Sequence, residues 1–146
     1  MGTEPLNQKL HWLMGNRMVR KVFFFENGQL KSLGGYKNGV MEGRYVEFQE
    51  DGDTLTKAYF RKGKLNGSLV EYYPNGGIQR IMTYEDNVPS GLLLKLYDNG
   101  AAEMVGNQKN GKLHGDFEFY NKSGELTEIR KYNLRSLVTA QKVVVE

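Results

Sequence analysis

RYVEFQEDGDTLTKAYFRKGKLNG, residues 44–67, decides the fold. Two runs in it have strand character, residues 44–49 and 54–60, because Val, Tyr, Phe and Thr suit a pleated, half-buried surface. Residues 50–53 lie between them and include Asp51-Gly52, a pair favoured in tight hairpin turns. Residues 61–67 are polar and glycine-rich and turn the chain into its next segment. The stretch is 24 residues long, and the chain repeats it. Gly28, Gly52, Gly76, Gly100 and Gly124 form one column at that spacing, preceded by Asn27, Asp51, Asn75, Asn99 and Ser123. Gly43, Gly67, Gly91 and Gly115 form a second column, and Gly39, Gly63, Asn87 and Gly111 a third. Asn is the non-glycine residue that best tolerates positive φ, so it fits the third column.

Aromatic residues keep the same register. One column reads Phe24, Phe48, Tyr72, Leu96 and Tyr120; another reads Tyr36, Phe60, Tyr84, Gln108 and Tyr132. Trp12 and Gly15 continue two columns backwards. A fixed period of this length is the mark of a repeat architecture. Two turns per unit give a strand about every 12 residues, and short links demand antiparallel pairing. No window holds a helical apolar period. The sequence therefore predicts an all-β fold: an elongated, single-sheet antiparallel meander of tandem 24-residue β-hairpin repeats, with roughly ten strands.

The predicted domain is one repeat array over 1–146. It has a degenerate half-unit about 9–21, hairpin units about 22–43, 44–67, 68–91, 92–115 and 116–139, and a C-terminal capping strand about 137–145. Val138 and the run 143–145 have high β propensity and low charge. Such a strand caps the sheet or pairs with a second copy, giving a homodimer. Parity assigns the faces. Val46 with Phe48, Val70 with Tyr72 and Leu94 with Leu96 share an apolar, aromatic side. Tyr45, Glu47, Leu69, Glu71, Leu93 and Lys95 share a mixed one. Leu33 and Tyr36 break parity within the second strand, which requires a β-bulge.

Tyr72-Tyr73-Pro74-Asn75-Gly76, together with KGKLNG at 62–67 and NGKLHG at 110–115, resembles the MORN-repeat variant family. The resemblance spans residues from about 22 to 132. Bacterial members of this variant are commonly grouped as antitoxins of the YwqK type. The resemblance thus implies a protein-binding module that neutralises a toxin encoded nearby. The alternative it implies is a structural or membrane-associated scaffold.

Catalytic parts are missing from the sequence. There is no Cys, no HExxH and no GxSxG, and no glycine-rich phosphate fingerprint. His114 occupies a column shared with Glu42, Asn66 and Ser90, a tolerant and solvated position; His11 stands alone beside Trp12. Glu50, Asp51 and Asp53 surround Gly52 like a calcium loop, but the position that would need a bidentate Glu is Lys62. The expectation is a non-enzyme with no catalytic residue, cofactor or metal. A net charge of +3 is too small to argue for nucleic acid. The absence of an apolar leader and of cysteine predicts a cytoplasmic protein.

The two long edges differ in charge. Glu26, Glu50, Asp51, Asp53 and Asp98 make the hairpin edge acidic. Arg61, Lys62, Lys64, Lys109 and Lys112 make the other basic, interrupted by Glu85 and Asp86 in a way that disfavours lipid. Glu50, Asp51, Asp53 and Asp98 are the candidate partner-binding residues, and Gly28, Gly52, Gly76, Gly100 and Gly124 the candidate structural turns. An acidic edge steers a basic partner.

Overall fold

The computed structural model describes residues 8–12, 18–133 and 136–144. Gly15 and Val145 lie outside them. The chain forms β1 (Gln8–Trp12), β2 (Met18–Phe24), β3 (Leu30–Lys37), β4 (Val40–Phe48), β5 (Thr54–Arg61), β6 (Lys64–Leu65) and β7 (Gly67–Tyr72). It continues through β8 (Ile78–Glu85), β9 (Val88–Leu96), β10 (Ala102–Lys109), β11 (Lys112–Tyr120), β12 (Leu126–Asn133) and β13 (Ser136–Lys142). All thirteen join one open antiparallel sheet in meander order, with β6 and β7 lying in succession against β5. This exceeds the ten strands read from the sequence, because β1 and β13 extend the repeat at its ends and one strand is split into β6 and β7. Adjacent strands lie about 4.8 Å apart, so the sheet is on the order of 50 Å long.

The turns exchange the types that their sequences predict. Asn-Gly and Asp-Gly in the Gly28 column suggest two-residue type I′ hairpins. Instead, the Gly28 amide donates to the Phe25 carbonyl and the Phe25 amide to the Gln29 carbonyl, closing a three-residue loop. Of that loop's residues only Gly28 has positive φ, +85°. This is a type I turn followed by a left-handed glycine. The same pattern recurs around Gly52, Gly76, Gly100 and Gly124. Asn27 prefers it because its side-chain oxygen accepts the Gln29 amide, an Asx turn that leaves Asn27 at negative φ. The two-residue turns with paired positive φ lie on the opposite edge, at Asn38-Gly39, Lys62-Gly63, Asp86-Asn87 and Asn110-Gly111.

Residues 61–67 are correspondingly not one long turn. Only Lys62-Gly63 turns; β6 follows, and Asn66-Gly67 is a bulge between β6 and β7. Elsewhere the same column lies within a single strand. Opposite β3 the register jumps between Gly34↔Tyr45 and Tyr36↔Met41, so β4 carries two extra residues around Gly43, at φ +84°. The bulge expected within β3 is absent: Val22↔Leu33 and Val19↔Tyr36 pair without a shift, so Leu33 faces the apolar side and Tyr36 packs beside Tyr45 on the mixed one.

Gly76→Val tests the loop assignment. A Cβ at Gly76 meets nothing within 4 Å, so the cost is conformational alone. A β-branched residue at φ +85° is expected to lose about 1 kcal/mol or more, read as a lower denaturation midpoint. Parent-like melting would reject the left-handed position.

Both faces carry apolar groups, but they bury them differently. On the apolar face one row crosses ten strands in unbroken register: Val22, Leu33, Val46, Lys57, Val70, Ile81, Leu94, Val105, Glu118 and Ile129. Val22 is buried, and the other aliphatics of the row are half-buried. The mixed face holds the tightest packing. Tyr45 meets Phe60 edge-on at 6.0 Å, and Phe117 meets Tyr132 at 5.1 Å. Ala58 and Phe117 are 2% and 1% exposed, although parity gives this face no core. The rings of one strand cover small residues of the next, as Tyr45 covers Gly34 and Phe117 covers Gly106.

Candidate functional site

The hairpin loops stand in a line along one edge of the sheet, one per repeat. Side chains tie the third loop to the fourth and the fourth to the fifth. Tyr73 donates its hydroxyl to the Leu96 carbonyl at 2.7 Å, and Tyr97 does the same to Tyr120 at 2.8 Å. The Asn75 and Asn99 amides donate to the Asp98 and Lys122 carbonyls at 3.1 and 3.0 Å. Each asparagine thus closes its own loop with its oxygen and holds the following loop with its nitrogen. Asp51 retains the first bond, to the Asp53 amide, and has no amide to make the second. The last three loops of the edge are therefore held to one another, with little left to order there on binding.

Glu50, Asp51, Asp53 and Asp98 are all exposed on this edge. Glu50, Asp51 and Asp53 surround one loop, and Asp98 belongs to the loop two repeats on. Successive loops are two strands apart, so Asp51 and Asp98 stand about 19 Å from one another. None of the four carboxylates forms an ion pair with a described residue. Between the third and fourth repeats, Tyr73, Pro74, Asn75, Tyr97, Asp98 and Lys122 line an open groove. Lys122 lies over the Tyr97 ring, 5.8 Å from its centre, and moderates the acidity there.

The opposite edge neutralises itself in part. Glu42 accepts the Lys62 amide at 2.7 Å. Asp86 accepts from Asn66 at 3.0 Å and pairs with Arg61 at 3.6 Å. Glu42 and Asn66 belong to the His114 column, which lies at the bulges, where side chains reach the next tight turn. His114 itself is exposed on β11. Backbone amides of Gly63, Asn87 and Gly111 donate to Met41, Leu65 and Pro89, repeating the stitch on this side.

Several ionisable groups of the mixed face are spent in pairs. Glu71 holds Arg80 on the mixed face, and Lys95 meets Glu103 at 3.4 Å. Glu128 holds Arg130, whose hydrogen bonds keep the Glu128 carboxyl below its usual range and raise the guanidinium. Burial pushes the Tyr45 hydroxyl up, with Glu47 adding to it, and the hydrogen bond to Glu118 raises Tyr120. No group of three or more His, Asp or Glu side chains suited to a metal occurs among the described residues. Among the described residues no helix is long and apolar enough to cross a membrane.

The inter-repeat bonds of Tyr73, Tyr97, Asn75 and Asn99 escaped the sequence reading. Their signal is periodic, because Tyr73 and Tyr97 share a column, but their acceptors are backbone carbonyls that carry no sequence mark. No curated protein matches the chain. Residues 21–38 and 65–86 match the family model described as MORN repeat variant. These segments hold the Gly28 and Gly76 loops with the flanking strands, and the remaining loops copy their hydrogen bonding. In these two segments the chain is similar to MORN repeat variants.

Proposed function

We propose that this protein is a binding module that neutralises a toxin by direct, stoichiometric contact, with the acidic hairpin edge as its docking surface. MORN repeats suggest a protein- or membrane-binding module in general. The observation that favours the narrower reading is the set of exposed carboxylates, Glu50, Asp51, Asp53 and Asp98, without an ion-pair partner among the described residues and aligned along one edge. A toxin that attacks nucleic acid carries a basic groove, and an acidic edge covers such a groove. The partner is the product of a neighbouring bacterial reading frame, met in the cytoplasm. The reading assigns no catalytic step to the chain.

Co-expression with the neighbouring frame, followed by pull-down and growth rescue, tests the role. A toxic neighbour that this chain neither binds nor silences would defeat it. Reversal of Glu50, Asp51 and Asp53 to Lys is expected to slow association about ten-fold or more and flatten its salt dependence. The variant loses the Asp51 bond to the Asp53 amide but keeps the two backbone bonds that close the loop and its glycine at position 52. Rescue at an unaltered association rate would remove the acidic edge from the mechanism.

A membrane-associated scaffold is the second reading. It is favoured by Val40 and Val88, 43% and 42% exposed on the basic edge. Flotation with anionic vesicles separates the two, since a soluble toxin-binding module stays at the bottom of the gradient.

A further inference from the structure

Among the described residues no second layer covers the apolar face. Its central row is aliphatic on eight of ten strands, and the two exceptions are Lys57 on β5 and Glu118 on β11. Lys57 rests over the Tyr72 ring at 5.2 Å, and Glu118 accepts the Tyr120 hydroxyl. Neither forms an ion pair with a described residue. Both occur once in a repeated row, with opposite charge. Counted outward from the boundary between β8 and β9, Lys57 lies on the third strand one way and Glu118 on the third strand the other way.

That placement is the signature of a two-fold axis. We propose that the apolar face seats a second copy of this chain, stacked face to face about an axis that runs parallel to the strands between β8 and β9. The axis sets Ile81 over Leu94, Val70 over Val105, and Lys57 over Glu118 of the other copy, each twice. Stacked sheets lie about 10 Å apart, a gap that Lys and Glu side chains span.

The charges select this arrangement over its alternatives. A shift by one strand presses Lys57 and Glu118 against aliphatics, burying two unpaired charges. An axis along the row, at right angles to the strands, sets Lys57 on Lys57 and Glu118 on Glu118. The proposed axis pairs both ions and sets the aliphatics from β4 to β12 on aliphatics, while Val22 and Leu33 lie beyond that overlap. The eight strands whose row residues face one another, with the neighbouring aromatic column, cover about 38 Å by about 14 Å, on the order of 500 Å² in projection. That is comparable with the ~800 Å² per partner of a stable interface. The dimer leaves both loop edges free, so it stands or falls independently of toxin binding.

Sedimentation of the full chain across a concentration series tests the proposal. The parent should dimerise. Lys57→Glu and Glu118→Lys should each raise the dissociation constant about ten-fold or more, since each sets like charges across the axis twice. An equimolar mixture of the two variants should dimerise like the parent. The introduced acid of one chain then faces the introduced base of the other, and the two native residues face each other. The doubly exchanged chain, Lys57→Glu with Glu118→Lys, restores both pairs in a homodimer and covers the case in which a single variant folds poorly. A parent that stays monomeric overturns the proposal, as does a dimer indifferent to both reversals or a mixture no tighter than its components. A doubly exchanged chain that stays monomeric also overturns it. So does a dimer lost on truncation after Ser136 yet insensitive to the reversals, which places the contact at the β13 edge.

Discussion

Phe117→Ala is expected to lower the stability of the fold by about 3 kcal/mol, the low end of the range for deleting a buried aromatic ring. Phe117 is the large side chain that the sheet hides most completely, at 1% exposure. A single-layer sheet has no second layer to supply a core, so burial must come from side chains folding over their own sheet. Phe117 achieves this by lying over the backbone of Gly106 on β10 and meeting Tyr132 of β12 edge-on at 5.1 Å. Its removal exposes the Gly106 backbone and strands the Tyr132 ring at once. Urea denaturation of parent and variant gives the difference from the midpoints. A loss below about 1 kcal/mol would mean that the mixed face contributes little and that stability resides in the ladder and the apolar face.

Gly106→Ala is expected to cost about 2 kcal/mol for the complementary reason. A Cβ built there would lie 2.4 Å from two atoms of the Phe117 ring. The ring has little room to retreat, because Tyr132 packs against it and it is almost fully buried. The two substitutions should be strongly non-additive. With Phe117 cut to Ala, the new methyl occupies space that the ring has vacated, so the double variant should be at least about 1 kcal/mol more stable than the sum of the singles implies. Additive losses would show that Gly106 is required for its backbone and not for the ring above it. Gly34 under Tyr45 is the looser version of the same fit, with its nearest ring atom at 3.2 Å.

Not all packing along that column is complete. Gln108 stands where Tyr36, Phe60, Tyr84 and Tyr132 stand in other repeats, and its side-chain oxygen is buried without a hydrogen-bond partner. The departure from the aromatic pattern marks this strained point in the sequence. The consequence, an unsatisfied acceptor, follows only from the burial that its neighbours impose.

The sequence by itself determined the period, the antiparallel meander, the positions of the loops and the apolar side of Val46, Val70 and Leu94. Those properties follow from glycine, from strand propensity and from alternation, which are local and repeat in every unit. It also placed Glu50, Asp51, Asp53 and Asp98 on one edge, since a loop at one Gly column implies the others beside it. Tertiary structure alone decided the rest. Asn27-Gly28 and Asn38-Gly39 are the same dipeptide, yet one closes a three-residue loop and the other a two-residue turn. The difference lies in the register of the flanking strands, which neighbouring repeats fix. Gly43 reads as a turn residue and serves as a bulge for the same reason. The symmetric placing of Lys57 and Glu118 is written in the chain, but it acquires meaning only when ladder register puts them in one row. Residues 61 positions apart become positions on one surface through hydrogen bonds that every strand makes and no side chain encodes.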